Sequence, residues 1–150
     1  MISGKLVHLI ETHASQIIQR VVDQIRREKD MPHIRALLDS ELREWNLELL
    51  EGLSHWLSPS NQEDLGNRYE RLGKLRFEQD IPLHESVRGL CLMREITLDF
   101  VEEHVASNSS VELYAEEELD RRLGFFFDLL ITHVVRGYER ALRRAVSMTA

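Results

Sequence analysis

The stretch YERLGKLRFEQDIPLHESV, residues 69–87, decides how the chain folds because it joins two helical patterns through a sharp corner. Pro82 restricts Ile81 to extended backbone, so the first helix must end near Asp80. Pro82 also suits the first turn of the next helix, since its missing N–H has no helical partner there. Leu83 then turns into the core. The stretch therefore predicts a tight corner that fixes the angle between two helices.

Helical spacing continues on both sides of this corner. Apolar residues recur three and four positions apart in every segment, which is typical of amphipathic helices, and no six-residue stretch alternates with a period of two. Polar or proline-containing breaks separate the segments, the last of them at residues 107–110. The sequence therefore predicts an all-α bundle of five main helices, at residues 3–28, 32–57, 61–78, 82–105 and 111–147.

Composition narrows the class of protein. The 150 residues are 43% hydrophobic and 30% charged, which fits one globular domain over residues 1–150. With 19 Lys+Arg against 26 Asp+Glu the net charge is −7, which argues against nucleic acid as a partner. The single cysteine excludes an internal disulfide and a multi-cysteine zinc site. With no membrane-spanning run and no signal peptide visible, we expect a cytoplasmic protein.

The last predicted helix is long for so small a domain. About 35 residues at 1.5 Å each give roughly 50 Å, whereas a chain of this size has a radius of gyration of about 15 Å. Two interpretations stay open: a central core helix, or a helix that pairs with a second copy of the chain. Gly124 and Gly137 are either soft points or places of close helix packing. For a homodimer, the predicted contact residues are Leu123, Phe126, Leu130, Val134 and Tyr138.

Motifs of known enzymes are absent from the sequence. It has no nucleophile elbow, P-loop, dinucleotide fingerprint or HExxH, and no two histidines lie four residues apart, so we expect neither catalysis nor a metal site. Haem needs an axial ligand that faces an apolar pocket. His84, His104 and His133 are the candidates, although a lone histidine beside an apolar face is more often a core residue. We therefore expect no cofactor.

A ligand pocket is the other site that the sequence suggests. Large or soft side chains in the middle helices could line it, although core packing is the simpler interpretation of these residues. Cys91 in particular lies beside Leu90 on the apolar face of its helix. The candidate pocket residues are Trp45, Trp56, Phe77, Cys91 and Phe100.

The corner and the residues around it resemble the RsbRD-type N-terminal sensor domain. This family stands at the front of stressosome co-antagonists of the RsbR kind and of some histidine kinases. The resemblance covers roughly residues 6–144. It rests on Leu72 and Gly73, on Ile81 to Leu83, on residues 90–94 and on the long last helix.

The resemblance implies both a fold and a function. It implies a globin-like helical fold that usually lacks haem, a dimer built on the first and last helices, and a role in signal input to stress-response proteins. Residues 91–94 carry no proximal-type haem ligand, as expected for a haem-free member. Members pass their signal through the last helix to a STAS or kinase output domain. The alternative is a haem-binding gas or redox sensor.

Overall fold

The computed structural model describes residues 4–105 and 110–149, and this part of the chain is all-α with a long C-terminal helix. A 3-10 turn at Pro59–Asn61 is the other helical element of these residues. The eight α-helices of the described residues are α1 Gly4–Thr12, α2 Ala14–Arg27, α3 Pro32–Arg35, α4 Asp39–Glu51, α5 Leu53–Leu57, α6 Gln62–Glu78, α7 Leu83–His104 and α8 Ser110–Thr149.

The last three helices confirm the predicted segments, whereas the first two predicted segments are divided. The first becomes α1 and α2, because the backbone leaves the helical region at His13. The second becomes α3, α4 and α5, since Leu38 is extended and Gly52, a poor helix former, interrupts the run. The predicted break at residues 107–110 lies outside the described residues except for Ser110, where α8 begins.

The corner between α6 and α7 is a Schellman motif, the hydrogen-bonded helix end that uses one left-handed residue. Asp80 has a φ of 58°, its N–H donates to the carbonyl of Phe77, and the N–H of Ile81 donates to the carbonyl of Arg76, each at 3.0 Å. Ile81 is 2% exposed and anchors the corner in the core. The predicted helix–Asp-Ile-Pro–helix corner is thus confirmed, with Asp80 in the place that glycine usually takes.

Helix α8 provides the surface on which α6 and α7 pack, and it also contacts α1. It has 40 residues and is about 60 Å long at 1.5 Å per residue. Its middle packs along α6 and also contacts α7. Side chains of the predicted dimer seam lie in this intramolecular core: Leu123, Leu130 and Val134 are 0% exposed and Phe126 is 6% exposed.

This burial corrects the predicted contact residues. The seam is covered by helices of its own chain, because it is the stripe of α8 that faces α6 and α7. Tyr138 is half-buried, and its hydroxyl donates to the carbonyl of Ile81. A homodimer through α8 stays a prediction, and it would have to use other faces of the helix.

Candidate functional site

Helices α6 and α8 cross at a place where each contributes a glycine. A Cβ added at Gly73 would lie 2.1 Å from the carbonyl oxygen of Val134, and one added at Gly137 would lie 2.0 Å from the carbonyl oxygen of Glu70. Such distances are shorter than any van der Waals contact, so only glycine lets the two backbones approach this closely. Of the two interpretations of Gly137, close helix packing is confirmed. At Gly124, by contrast, an added Cβ would meet nothing within 4 Å.

A third glycine places a histidine beside this crossing. The ring of His133 lies on Gly66, where an added Cβ would be 2.7 Å from the ring. His133 Nδ1 is 2.7 Å from Oε2 of Glu70, and both side chains are less than a fifth exposed. A histidine on α8 is thereby held against the carboxylate of α6.

Glu70 also meets two arginines of α8. NH1 of Arg140 donates to its Oε1, and NH1 of Arg136 lies 3.8 Å from its Oε2. One largely buried carboxylate therefore faces His133, Arg136 and Arg140, which are spaced three and four residues apart on one side of α8. Charge-assisted hydrogen bonds of this kind are stronger than neutral ones. The cluster fixes the rotation of α8 about its own axis.

The corner itself contacts α8 one turn further along. The Tyr138 hydroxyl donates to the Ile81 carbonyl at 3.0 Å, and the Tyr138 ring packs edge-on against Phe77 with ring centres 5.4 Å apart. The glycine crossing, the Glu70 cluster and the Tyr138 contact together occupy residues 133–140 of α8. We call this set the α6–α8 clamp. Its arrangement suits mechanical coupling between two helices.

The haem candidates lie in separate places. His84 and His104 are exposed, and His104 stacks on Phe100 with ring centres 3.9 Å apart while its Nδ1 bonds the Phe100 carbonyl. The ring of His133 is already paired with the carboxylate of Glu70. Within residues 4–105 and 110–149, no group of three metal-ligating side chains comes together.

The five candidate pocket residues have different surroundings. The guanidinium carbon of Arg68 lies over Trp45, 4.5 Å from the centre of the Trp45 ring. Phe77 belongs to the clamp. Phe100 is fully buried against histidines, and Cys91 is a half-buried free thiol. Trp56 does line an open groove, of about 470 Å³, whose other walls include Phe125 and Leu129.

Sequence reasoning missed most of the clamp. Arg136 and Arg140 are explained equally well by the helix dipole, which favours bases near a C-terminus. Glu70 is one of many acids on a helix, and its partner His133 is 63 residues away. Two signs were usable: Gly137, for which close helix packing is one of the two predicted interpretations, and Gly73, which lies in the motif that carries the family resemblance.

A comparison with known protein families agrees with the resemblance that this motif carries. A family model, the RsbT co-antagonist protein rsbRD N-terminal domain, matches residues 15–150. The chain belongs to this family. The match takes in the clamp, the corner and helices α2 to α8, and leaves α1 outside. No curated protein and no solved structure gives a significant match.

Membership makes the chain a regulatory domain of stress signalling, as the sequence resemblance implied. In this rsbRD N-terminal domain, the clamp joins the motif around the corner to the long last helix. Among the described helices, none is long and apolar enough to pass through a membrane.

Proposed function

We propose that this rsbRD N-terminal domain is a non-catalytic, haem-free signal-input module that forms a homodimer through an outer face of α8. In this proposal α8 relays the signal to an output partner of the STAS or kinase type. The single cysteine, which is a free thiol, fits a cytoplasmic setting because thiols stay reduced there. The proposal is supported by family membership, by the contacts that hold α8 against α6, and by the exposed apolar side chains in the second half of α8.

An apolar stripe on the second half of α8 runs beside the buried seam; Ile131 at its start still packs against the core, and the stripe becomes exposed toward the end of the helix. Ile131 and Val135 are half-buried, Leu142 is 45% exposed and Val146 is 59% exposed. Their spacing of four, seven and four residues places all four on one face of the helix, since residues four and seven positions apart lie nearly above one another. This stripe is what we propose for the dimer contact in place of the buried seam.

Charged side chains border the stripe. A groove of about 520 Å³ runs beside Ile131 and Val135 and is also lined by Arg136, Glu139 and Arg143. Both signs of charge thus lie along one margin of the apolar residues, the arrangement by which paired helices choose partner and register. A second copy of the same helix would present the complementary charges.

The clamp gives α8 the properties of a relay. Its last buried residue is Gly137, and residues 139–149 are half-buried or exposed, so the helix runs about 18 Å past its last buried position at 1.5 Å per residue. A displacement of α6 or of the corner moves α8 as one body, because the backbones of the two helices are in direct contact at Gly73 and Gly137. Small helix shifts of this kind are an established form of signalling. The close approach of the two backbones at Gly73 and Gly137 is the observation that carries the proposal.

The mass of the chain in solution tests the dimer. We expect light scattering to give twice 17.6 kDa for the wild type. The double variant Leu142→Glu/Val146→Glu should be a folded monomer, because both side chains are exposed within one chain. Met148→Glu is the matched control, since Met148 is 87% exposed and lies on another face of α8. A wild-type monomer, or a dimer in the double variant, would remove the proposed contact.

A further inference from the structure

A small cavity lies in the core between α4, α6 and α7, with one wall formed by α8. Its volume is about 40 Å³. A water needs roughly 10–15 Å³ by this measure, so the cavity holds about three water-sized groups. Seven of its ten lining residues are apolar or glycine: Ile25, Ile34, Leu42, Leu72, Gly89, Leu90 and Val134. The other three are polar, and they decide what the cavity can hold.

Arg76 brings a positive charge to the cavity. It is only 8% exposed, and its NH1 donates to Oε1 of Gln79 at 2.8 Å. Among the described residues no carboxylate contacts this guanidinium, since Glu41 reaches it only through Gln79, whose Nε2 donates to Glu41 at 2.9 Å. Burial accordingly lowers the pKa of Arg76, with Glu41 opposing this effect. A buried cation without a contacting anion is an unfavourable arrangement that a bound anion would relieve.

Ser86 supplies an unused hydrogen-bonding group. It is 8% exposed, and its hydroxyl has no partner among the described residues. Its neighbour Glu85 is already engaged, because that carboxylate accepts the N–H groups of His33 and Ile34 and contacts the His33 ring at 2.6 Å. Buried hydroxyls normally have partners, so an orphaned one that lines a cavity points to an occupant.

Asn46 completes the polar wall. Its Nδ2 donates to the Leu42 carbonyl at 2.9 Å, which leaves the second N–H of the amide for an occupant. The donors available around the cavity are thus the remaining guanidinium N–H groups, the Ser86 hydroxyl and one amide N–H. No anionic side chain lines the cavity.

We infer that this cavity binds a small planar oxyanion of three or four non-hydrogen atoms, such as formate, acetate, bicarbonate or nitrate. The planar guanidinium matches the two oxygens of such an ion, and Ser86 adds a third donor. Apolar walls shield these hydrogen bonds from water and limit the size of the ligand. The class is set by charge and shape, and the experiment distinguishes its members.

The position of the cavity connects this ligand to the clamp. Val134 lines the cavity, and its carbonyl is the group that Gly73 approaches at the α6–α8 crossing. Leu72 and Arg76 line it from α6. An anion drawn to Arg76 therefore acts between the two helices that the clamp joins. This regulatory step, though not the binding itself, rests on the proposed function.

Thermal unfolding of the whole chain in sodium formate, acetate, bicarbonate and nitrate tests the binding. At least one of these salts should raise the Tm of the wild type along a saturating curve, as ligand linkage requires. Titration of ¹³C-formate or ¹³C-acetate followed by NMR then gives the Kd directly. A wild type without a saturable response to any of the four anions would overturn the inference.

Ser86→Ala separates binding from folding. Without ligand this variant should be as stable as the wild type or more so, because it loses only an unpartnered hydroxyl. Its Kd should rise about tenfold or more, the usual effect of losing one hydrogen bond to a charged group. Ser15→Ala is the control, since Ser15 is exposed and lies at least ten residues in sequence from every lining residue. An unchanged Kd in Ser86→Ala would contradict the site.

The two proposals fail separately. Absence of anion binding in a wild type that remains a dimer overturns the cavity inference alone. Anion binding by a wild type that is monomeric overturns the dimer alone. If the anion is the signal, saturating concentrations should also change the distance between copies of α8, measured with spin labels on cysteines placed at Met148 in a Cys91→Ala background. Unchanged distances at saturation would remove the regulatory step and leave the binding site.

Discussion

Gly137 lies so close to the main chain of Glu70 that an added Cβ would be 2.0 Å from the Glu70 carbonyl oxygen. Gly73 stands in the same relation to Val134 on the opposite helix, so the contact is reciprocal. Two helices from distant parts of the chain are thereby in backbone contact. The distance between α6 and α8 is set by the absence of a side chain at Gly73 and Gly137.

Alanine at either glycine of the crossing should therefore destabilise the fold. We predict that Gly73→Ala and Gly137→Ala each lower the free energy of unfolding by about 2 kcal/mol or more, because the clash is with backbone that cannot move aside. Gly124→Ala is the control on α8: with open space at its Cβ it should raise stability by about 0.5–1 kcal/mol. Urea unfolding followed by circular dichroism measures all three, and equal effects at Gly124 and Gly137 would refute the close crossing.

Asp80 provides a prediction of the opposite sign. A φ of 58° costs an L-residue energy that glycine does not incur, although aspartate tolerates it better than most residues. Asp80→Gly should therefore raise the free energy of unfolding by about 0.5 kcal/mol, and Asp80→Val should lower it. Glu78→Gly, at an exposed position within α6, should be destabilising by about 0.5–1 kcal/mol. Stabilisation by Glu78→Gly as well would show that the effect is not conformational.

The corner and the last three helices could be predicted because their determinants are local. Pro82 constrains Ile81, and apolar spacing identifies α6, α7 and α8 without knowledge of the rest of the chain. Periodicity does not report small breaks, so it passes through His13 and Gly52. Both residues lie within runs whose apolar spacing continues on either side.

What covers an apolar face could not be predicted from the same pattern. Leu130 is apolar whether α6 or a second copy packs against it, so the sequence leaves a core helix and a dimer contact both open, and the structure buries Leu130 within one chain. The pairing of Glu70 with His133 was equally inaccessible. Their 63-residue separation is bridged by the tertiary crossing at Gly73 and Gly137, and nothing in the local sequence of either residue specifies the other.

Tyr69 makes stability depend on pH in the alkaline range. Its side chain is 0% exposed, and burial raises the pKa of the phenol well above its ordinary value of 10.0, with Arg68 acting in the opposite direction. The unfolded chain thus loses this proton near pH 10 while the folded chain keeps it. The contribution of Tyr69 to the free energy of unfolding is intact below pH 10. It decreases as the pH rises further, by at most about 1.4 kcal/mol per pH unit.

Tyr69→Phe isolates this effect. Near pH 7 the variant should be as stable as the wild type or more so, because the Tyr69 hydroxyl is buried without a partner among the described residues. Above pH 10 the variant should lose less stability than the wild type. Tyr114→Phe is the control, since Tyr114 is 59% exposed. Urea unfolding at several pH values gives the curves, and parallel curves for wild type and Tyr69→Phe would contradict the assignment.

Glu70 is the residue through which the clamp can be loosened without changing its shape. Glu70→Gln keeps the size of the side chain and the contact of its backbone with Gly137. It removes the charge that faces His133, Arg136 and Arg140. We predict a loss of about 1–2 kcal/mol in the free energy of unfolding, because this carboxylate is only 18% exposed and its hydrogen bonds are charge-assisted.

Glu139→Gln is the matched control for this loss. Among the residues that the structure describes, Glu139 pairs only with Arg143, at 3.8 Å and with both side chains at least half exposed, so the change should stay within about 0.5 kcal/mol. Part of the Glu70 effect should persist in high salt, because partly buried pairs are screened less than exposed ones. If Glu70→Gln and Glu139→Gln were equally mild, the ion cluster would not hold α8. The glycine crossing alone would then have to fix the position and rotation of that helix.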